Sequence, residues 1–373
     1  MSEALIASLA PFVADLSAWD RFLALGLPTP RDEAYRYVRL KNLYEQTYAP
    51  PETREVVSSA HALFLDGTLQ QCRFPQGVVA LSLAQAKKQY GSLLESRFAK
   101  WLKEERDPFA CLNGALAKEG LFLYIPPSFR CETPFVVEMV CQTPSFLHPR
   151  IHVVVGKGAE AHFTLLDHNH NLSLTNCFLD LSLEENARVV IHAQPSSSHM
   201  DFFRAVLKKR SCLRCVTAHF TAPFLRQDYD INLLGEEAEV ALYGLSVLEK
   251  SEQAHTHIRI EHAAPHTRSL QKFKGVLKEQ SRASFQGKIY VQPIAQKTEA
   301  YQLCNYLISG EKASANCKPN LEIFADDVKA SHGATVGRLN AEHLFYLQSR
   351  GVSKKAAEEL LIQGFIQEIM EEL

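Results

Sequence analysis

The sequence predicts a mainly β fold with a helical region at each end. Up to about residue 120, and again after residue 338, apolar residues recur at three- and four-residue steps, the spacing of helices with one buried face. Between them the period falls to two, as in half-buried strands. Small residues following polar turns also recur at Ala159, Ala187, Cys212, Ala238, Ala283 and Ala313. Neighbours are roughly 25 to 30 residues apart, with one gap about double. Many short strands at one repeat fit either a sandwich or a stacked coil. That period suits one turn of a parallel β-helix better than hairpins, whose two-residue loops favour Asn-Gly or Asp-Gly pairs. Periodicity alone leaves both architectures open. The divisions expected are 1–120 helical, 121–337 β and 338–373 helical.

In chain order, Leu5, Leu9, Phe12, Val13, Leu16, Phe22 and Leu23 form an apolar stripe that stops at Gly26 and Pro28. Tyr35-Arg36-Tyr37 reads as an arginine-capped aromatic cluster. A second helical pattern runs from Ser82 to Leu102 through Leu83, Ala86, Tyr90, Leu93, Leu94 and Trp101. Asp107-Pro108 opens a shorter helix that Gly120 closes. Short β runs follow, from LFLYI at residue 121 to LEIFA at residue 321. Asn340 is placed to cap one C-terminal helix, with Gly351 as its stop, and Ser353 to cap the last. There Ala357, Leu360, Leu361, Gly364, Phe365 and Ile369 make an apolar stripe that packs on its own domain or docks a partner.

The 373 residues can bury a substantial core, and 46% hydrophobic with 22% charged residues is ordinary for a globular protein. A net charge of −2 gives no basic bias toward nucleic acid or anionic membrane. The apolar runs are far too short to cross a bilayer. Met1 to Leu16 lacks the pattern of a signal peptide, and a cytoplasmic location is expected. The nine cysteines lack the regular spacing of a secreted disulfide scaffold. Cys212 and Cys215 form a single CxxC in strand-like surroundings, read as structural. His168/His170 and His255/His257 each place two rings on one strand face, but no third metal ligand is recognisable. His262 and His266 flank Pro265 and read as a surface loop. No phosphate loop, GxGxxG, HExxH or GxSxG occurs. Asp326 and Asp327 are adjacent strand residues, so their carboxylates should point apart rather than share a proton. A β-helix enzyme acting on polysaccharide is the catalytic alternative, and it would want a secretion signal and an acidic groove.

The most informative stretch is Lys318–Gly337, KPNLEIFADDVKASHGATVG. Leu321, Ile323 and Ala325 alternate with polar residues, as on a half-buried strand. His332 then lies in a segment with Gly333 and Gly337, expected to be a glycine-rich turn that exposes one imidazole. The run LEIFADDVKASHGATVGRLNAEHLFYLQSRG, with FKGVLKEQSRASFQGKIYVQPIAQKTEAYQ upstream, resembles the SufB/SufD family of iron–sulfur cluster assembly proteins, its SufD branch above all. Tyr35-Arg36-Tyr37 and Leu112-Asn113-Gly114-Ala115 are similar to further family motifs.

The resemblance implies a right-handed parallel β-helix core and a scaffold role without catalysis. It also implies pairing with SufB through Leu321, Ile323, Asp326, Asp327 and Lys329, and docking of the ATPase SufC on Leu344–Leu373. There Phe345, Tyr346, Arg350, Leu361 and Phe365 are the candidates. His332 is the implied ligand of a transient iron–sulfur cluster shared with SufB, with no permanently bound cofactor. Many relatives carry cysteine at the position of Ala330, so a thiolate role there is absent from this chain. A homodimer in isolation, or a SufB-like homodimeric scaffold, is the alternative within the family.

Overall fold

The structure, a computed structural model, describes residues 2–46, 48, 56–169, 172–220 and 222–373. His170 of the expected histidine pair lies outside the described residues, as does the side chain of Leu93. The N-terminal part holds helices α1 (Ser2–Leu9), α2 (Leu16–Leu25), α3 (Lys41–Glu45), α4 (Leu83–Glu104) and α5 (Pro108–Leu116). It also holds three short strands, β1 (Ala62–Leu65), β2 (Thr68–Cys72) and β3 (Val79–Ser82), which the helical expectation for 1–120 omits. They are four or five residues long, too short to show a period. The single N-terminal stripe is two helices, broken at Ala10–Phe12, with Gly26 at φ 71° ending α2. Ser82 and Gln85 form a capping box at the start of α4, and the Asp107 carboxylate accepts from the Phe109 N–H at the start of α5. Gly120 does not close α5, which ends four residues earlier. It is glycine because a Cβ there would lie 2.5 Å from the Arg150 carbonyl oxygen.

The middle of the chain is a parallel β-solenoid of about seven turns. Its strands are β4 (Leu121–Ile125), β5 (Phe135–Cys141), β6 (Phe146–Leu147), β7 (Arg150–Val155), β8 (Glu160–Asn169) and β9 (Leu174–Leu183). They continue as β10 (Arg188–Gln194), β11 (Ser198–Leu207), β12 (Cys212–His219), β13 (Phe224–Leu233), β14 (Glu239–Leu248) and β15 (Gln253–His262). The last are β16 (Arg268–Leu277), β17 (Arg282–Val291), β18 (Thr298–Ile308), β19 (Ser314–Ile323) and β20 (Val328–Gly337). One sheet runs β2-β1-β5-β8-β10-β12-β14-β16-β18-β20 and the other β19-β17-β15-β13-β11-β9-β7-β4-β3. Among the described residues, only β1–β2 and β3–β4 pair antiparallel. Two helices follow, α6 (Ala341–Ser349) and α7 (Lys354–Met370). No described helix is long and apolar enough to cross a membrane.

The repeat has a backbone cause. Asn186, Arg210, Glu237, His266 and Lys297 all take left-handed backbone, φ 54–61°. This conformation disfavours a side chain, but each turn is stitched to the next. The Asn186 N–H donates to the Lys209 carbonyl at 2.9 Å and the His266 N–H to that of Gln296 at 2.9 Å. The residue after each is small and fully buried: Ala187, Ser211, Ala238, Thr267 and Thr298. The sequence repeat matches this column at Ala159, Ala187 and Ala238; Cys212 is one residue past the column's member, Ser211. Ala283 lies in β17 and Ala313 just before β19, on the opposite sheet. The true successors, Thr267 and Thr298, hide their hydroxyls by donating to the carbonyls of Ala264 and Ala295.

Inward residues such as Leu181, Ala205, Ile231, Ile191, Leu213 and Leu242 fill the solenoid. The outer face of the second sheet, with Phe178, Met200, Phe202 and Phe224, packs under Trp19, Phe22, Phe109 and Leu112 of the N-terminal helices. Burying a large apolar side chain stabilises by about 1.5–3 kcal/mol, so this second layer is a genuine core. Tyr35 belongs to it, but its arginine is not Arg36, which is exposed; it is Arg226 of β13. His262, expected on the surface, is fully buried between the hydroxyls of Thr267 (2.8 Å) and Ser269 (2.9 Å). His255 bonds Ser284 at 2.7 Å and His257 bonds Asp228 at 2.8 Å, so that pair is absorbed into hydrogen-bond networks. Cys215 points into the core while Cys212 opens its strand half-exposed, and the CxxC residues share no site.

Candidate functional site: the open end of the solenoid

Strands β19 and β20 are the last of their sheets, each hydrogen-bonded on one side only, to β17 and β18. Neither contains a fully buried residue. Their free edges present backbone donors and acceptors of the kind that recruit another strand. The turn they form is apolar inside, where Leu321, Ile323, Val328 and Ala330 pack on Ile289, Val291, Ala295, Ala300 and Ala325.

His332 lies within β20 rather than in a turn, and neither Gly333 nor Gly337 has positive φ. The SHGAT segment stays extended because β18 supplies a continuous parallel partner from Thr298 to Leu307. Val328 and Ala330 face the interior, so strand alternation turns His332 the same way. Its register partner is Gln302, whose own partner is Gln271. The Gln302 amide donates to the Gln271 Oε1 at 2.6 Å. Gln302 Oε1 and Gln271 Nε2 are buried without partners, each an expense of about 1–3 kcal/mol. The room for Gln302 comes from Gly287 on the facing sheet, where a Cβ would collide with the Gln302 amide nitrogen. Gln271, Gln302 and His332 therefore form a polar column along the inner wall, buried at its base and exposed at the rim. Sequence reasoning missed both glutamines, because a polar residue pointing into a solenoid looks the same as one pointing out. It also missed Cys304 and Cys317, whose sulfurs lie 3.4 Å apart inside the same end.

Asp326 and Asp327 sit in the turn between β19 and β20, not on a strand. The Asp327 carbonyl accepts from the Lys297 N–H at 2.5 Å, and its own N–H donates to Gln296 at 2.9 Å. Lys329 pairs with Glu299 at 3.3 Å. Asp327 and Lys329 end an open groove of about 690 Å³ that follows the turn ladder. Its charges alternate: Arg268 meets Glu239 at 3.3 Å and Glu299 at 3.7 Å. Charges of both signs line its floor. Among the described residues, no group of three histidine, cysteine or carboxylate side chains is placed to hold a metal ion.

The C-terminal helices divide the expected docking residues. On α6, Phe345 is 74% and Tyr346 57% exposed, and Arg350 is exposed as well. The stripe of α7 is used at home in part: Ala357 and Ile369 are buried, whereas Leu360 is 50% exposed. Ile366 and Ile369 pack on Val216, Tyr243 and Leu245 of the first sheet. Glu368 pairs with Lys272 (2.5 Å) and Lys274 (2.7 Å), and Glu372 pairs with Arg214. Two lysines hold the Glu368 carboxyl down to about 2. Phe365 is half-buried, with the Lys274 ammonium 5.1 Å from its ring centre and bonded to its carbonyl oxygen at 2.8 Å. Leu361 is half-buried too.

Comparison with known proteins matches this sequence to a family. Residues 139–365 match the profile described as "SUF system FeS cluster assembly, SufBD core domain", and residues 53–137 that of the "SufBD protein N-terminal region". The chain is 28% identical to the iron–sulfur cluster assembly protein SufD of Escherichia coli K12, over 95% of this chain and 87% of that one. It is 26% identical to an iron–sulfur cluster assembly SufBD family protein of Synechocystis, over 95% and 86%. With SufB of Bacillus subtilis it shares 23% identity, over 80% and 66%. A β-solenoid with an open, strand-edged end and a core-domain match over most of its length places this chain in the SufB/SufD family of iron–sulfur cluster assembly proteins.

Proposed function

We propose that the chain is the SufD-type subunit of a cytoplasmic scaffold on which iron–sulfur clusters are built. The observation that carries the reading is the open end. Two unpaired strand edges surround an apolar last turn whose inner wall ends in one exposed imidazole. A SufB-type partner would add its strands to β19 and β20, covering Leu321 and Ile323 and meeting Asp326, Asp327 and Lys329 at the rim. His332 would then supply a nitrogen ligand to a cluster that the partner also holds. The cluster is cargo: a site shared between chains forms and empties with the assembly.

The helices after β20 would dock the SufC-type ATPase, chiefly through Phe345, Tyr346 and Arg350, with Leu361 and Phe365 at the edge of the contact. ATP hydrolysis would belong to that partner, and this chain would turn nothing over. Co-expression with SufB- and SufC-type partners, anaerobic purification, and iron and sulfide assay test the reading. A stable complex carrying iron and sulfide is expected. A chain that purifies alone overturns it, and a pair of identical chains closed through the same strand edges points to the homodimeric scaffold instead.

A further inference from the structure

The pair inside the last turn is not explained by the scaffold reading and does not depend on it. Cys304 is fully buried on β18 of one sheet. Cys317 is half-exposed on β19, the edge strand of the other. Their sulfurs are 3.4 Å apart, and a disulfide needs about 2.05 Å. The remaining gap is about 1.4 Å, the difference from that bond length, and β19 is free to yield because it is bonded to β17 alone.

We propose that Cys304 and Cys317 form a reversible disulfide that fastens the two sheets together at the open end, with a low-molecular-weight disulfide such as oxidised glutathione as the oxidant. The order of events follows from exposure. Cys317 is the less buried of the two, on the edge strand of the open end, and the Cys304 S–H beside it favours its thiolate, whereas burial pushes the Cys304 thiol up. The Cys317 thiolate attacks one sulfur of the glutathione disulfide, making a mixed S–S bond and expelling a glutathione thiolate, which takes up the proton Cys317 released. Cys304 then gives up its proton and attacks the Cys317 sulfur, closing the internal S–S bond and expelling the second glutathione, which leaves as the thiol. Two cysteine thiols are oxidised and one glutathione disulfide is reduced to two thiols. The bridge would join consecutive strands across the turn that carries them from one sheet to the other, fixing the rim on which β19 stands.

The test uses the reduced full-length chain, incubated with oxidised glutathione, alkylated and digested without reductant. The peptide carrying Cys304 joined to that carrying Cys317 is expected, and dithiothreitol should separate them. Cys304→Ser should stop the reaction at one glutathione on Cys317. A wild-type chain that keeps both thiols free, stops at that mixed adduct, or links either cysteine elsewhere overturns the proposal. Should the variant not fold, the wild-type peptide map decides alone.

Discussion

Arg226 of β13 lies over the ring of Tyr35, its guanidinium carbon 4.0 Å from the ring centre, and so joins the N-terminal layer to the solenoid. Arg226 is 1% exposed, and its charge is met by Asp228 at 3.0 Å and Asp107 at 3.4 Å. The Tyr35 hydroxyl donates to Asp107 at 2.7 Å. Arg204 bonds Glu105 through two nitrogens at 2.9 Å and Asp228 at 2.9 Å. Burial pushes the Asp107 carboxyl up despite Arg226. Burial also works against Asp228, but His257, Arg204 and Arg226 outweigh it and hold that carboxyl well below the usual range.

Removing one partner from such a network leaves buried charges uncompensated. Arg226→Met should therefore destabilise the protein by about 3–5 kcal/mol, read as a lower urea midpoint. A loss under about 1 kcal/mol, the scale of an exposed pair, would mean that the network is solvated and the layer is held by its apolar contacts alone.

His199 predicts a pH dependence of the opposite sign to the usual carboxylate effect. It lies between Asp201 (3.0 Å) and Asp167 (3.6 Å), with its side chain 6% exposed. Burial opposes its charge, but the two carboxylates outweigh it and raise its pKa to about 10. In the unfolded chain it returns to about 6.5. The folded state binds this proton more tightly, so its contribution is complete below about pH 6.5 and is lost as pH rises to about 10. Wild-type stability should fall across that window, by roughly 1.4 kcal/mol per pH unit at its steepest. His199→Gln should lack that component, and parallel profiles for the two proteins would show that His199 is neutral when folded.

The two C-terminal helices should respond differently to truncation. Ile369→Ala removes a fully buried side chain and should cost about 2–5 kcal/mol in α7 packing, visible as faster amide exchange along that helix. Phe345→Ser removes an exposed ring and should change stability by less than about 0.5 kcal/mol while weakening capture of the ATPase. Unchanged capture would move the docking surface off α6.

How much of this is legible in the sequence depends on what each position must satisfy. The turn interval is legible wherever the column of buried small residues is apolar, as at Ala159, Ala187 and Ala238. It fades at Thr267 and Thr298, where a hydroxyl satisfied by a nearby carbonyl occupies the same place. Helix starts at Asp107, Asn340 and Ser353 are legible because each is a local hydrogen bond between near neighbours. The site is legible only in part. LEIFADDVKASHGATVG marks the last turn, but the direction of His332 depends on which face Gln302 and Gly287 present, and those are a whole turn away in the chain. Separation in the chain also hides Cys304 from Cys317, 13 residues on, and Arg226 from Tyr35, which lies in the N-terminal layer.

The central claim is that the open end, through His332, helps hold a cluster under assembly. The direct measurement is iron and sulfide content of the complex purified anaerobically with wild-type chain and with His332→Ala. The substitution touches an exposed rim residue, so thermal stability and partner capture should stay as they are, while cluster content falls several-fold. Equal loading of the two complexes would contradict the claim and remove His332 from the site.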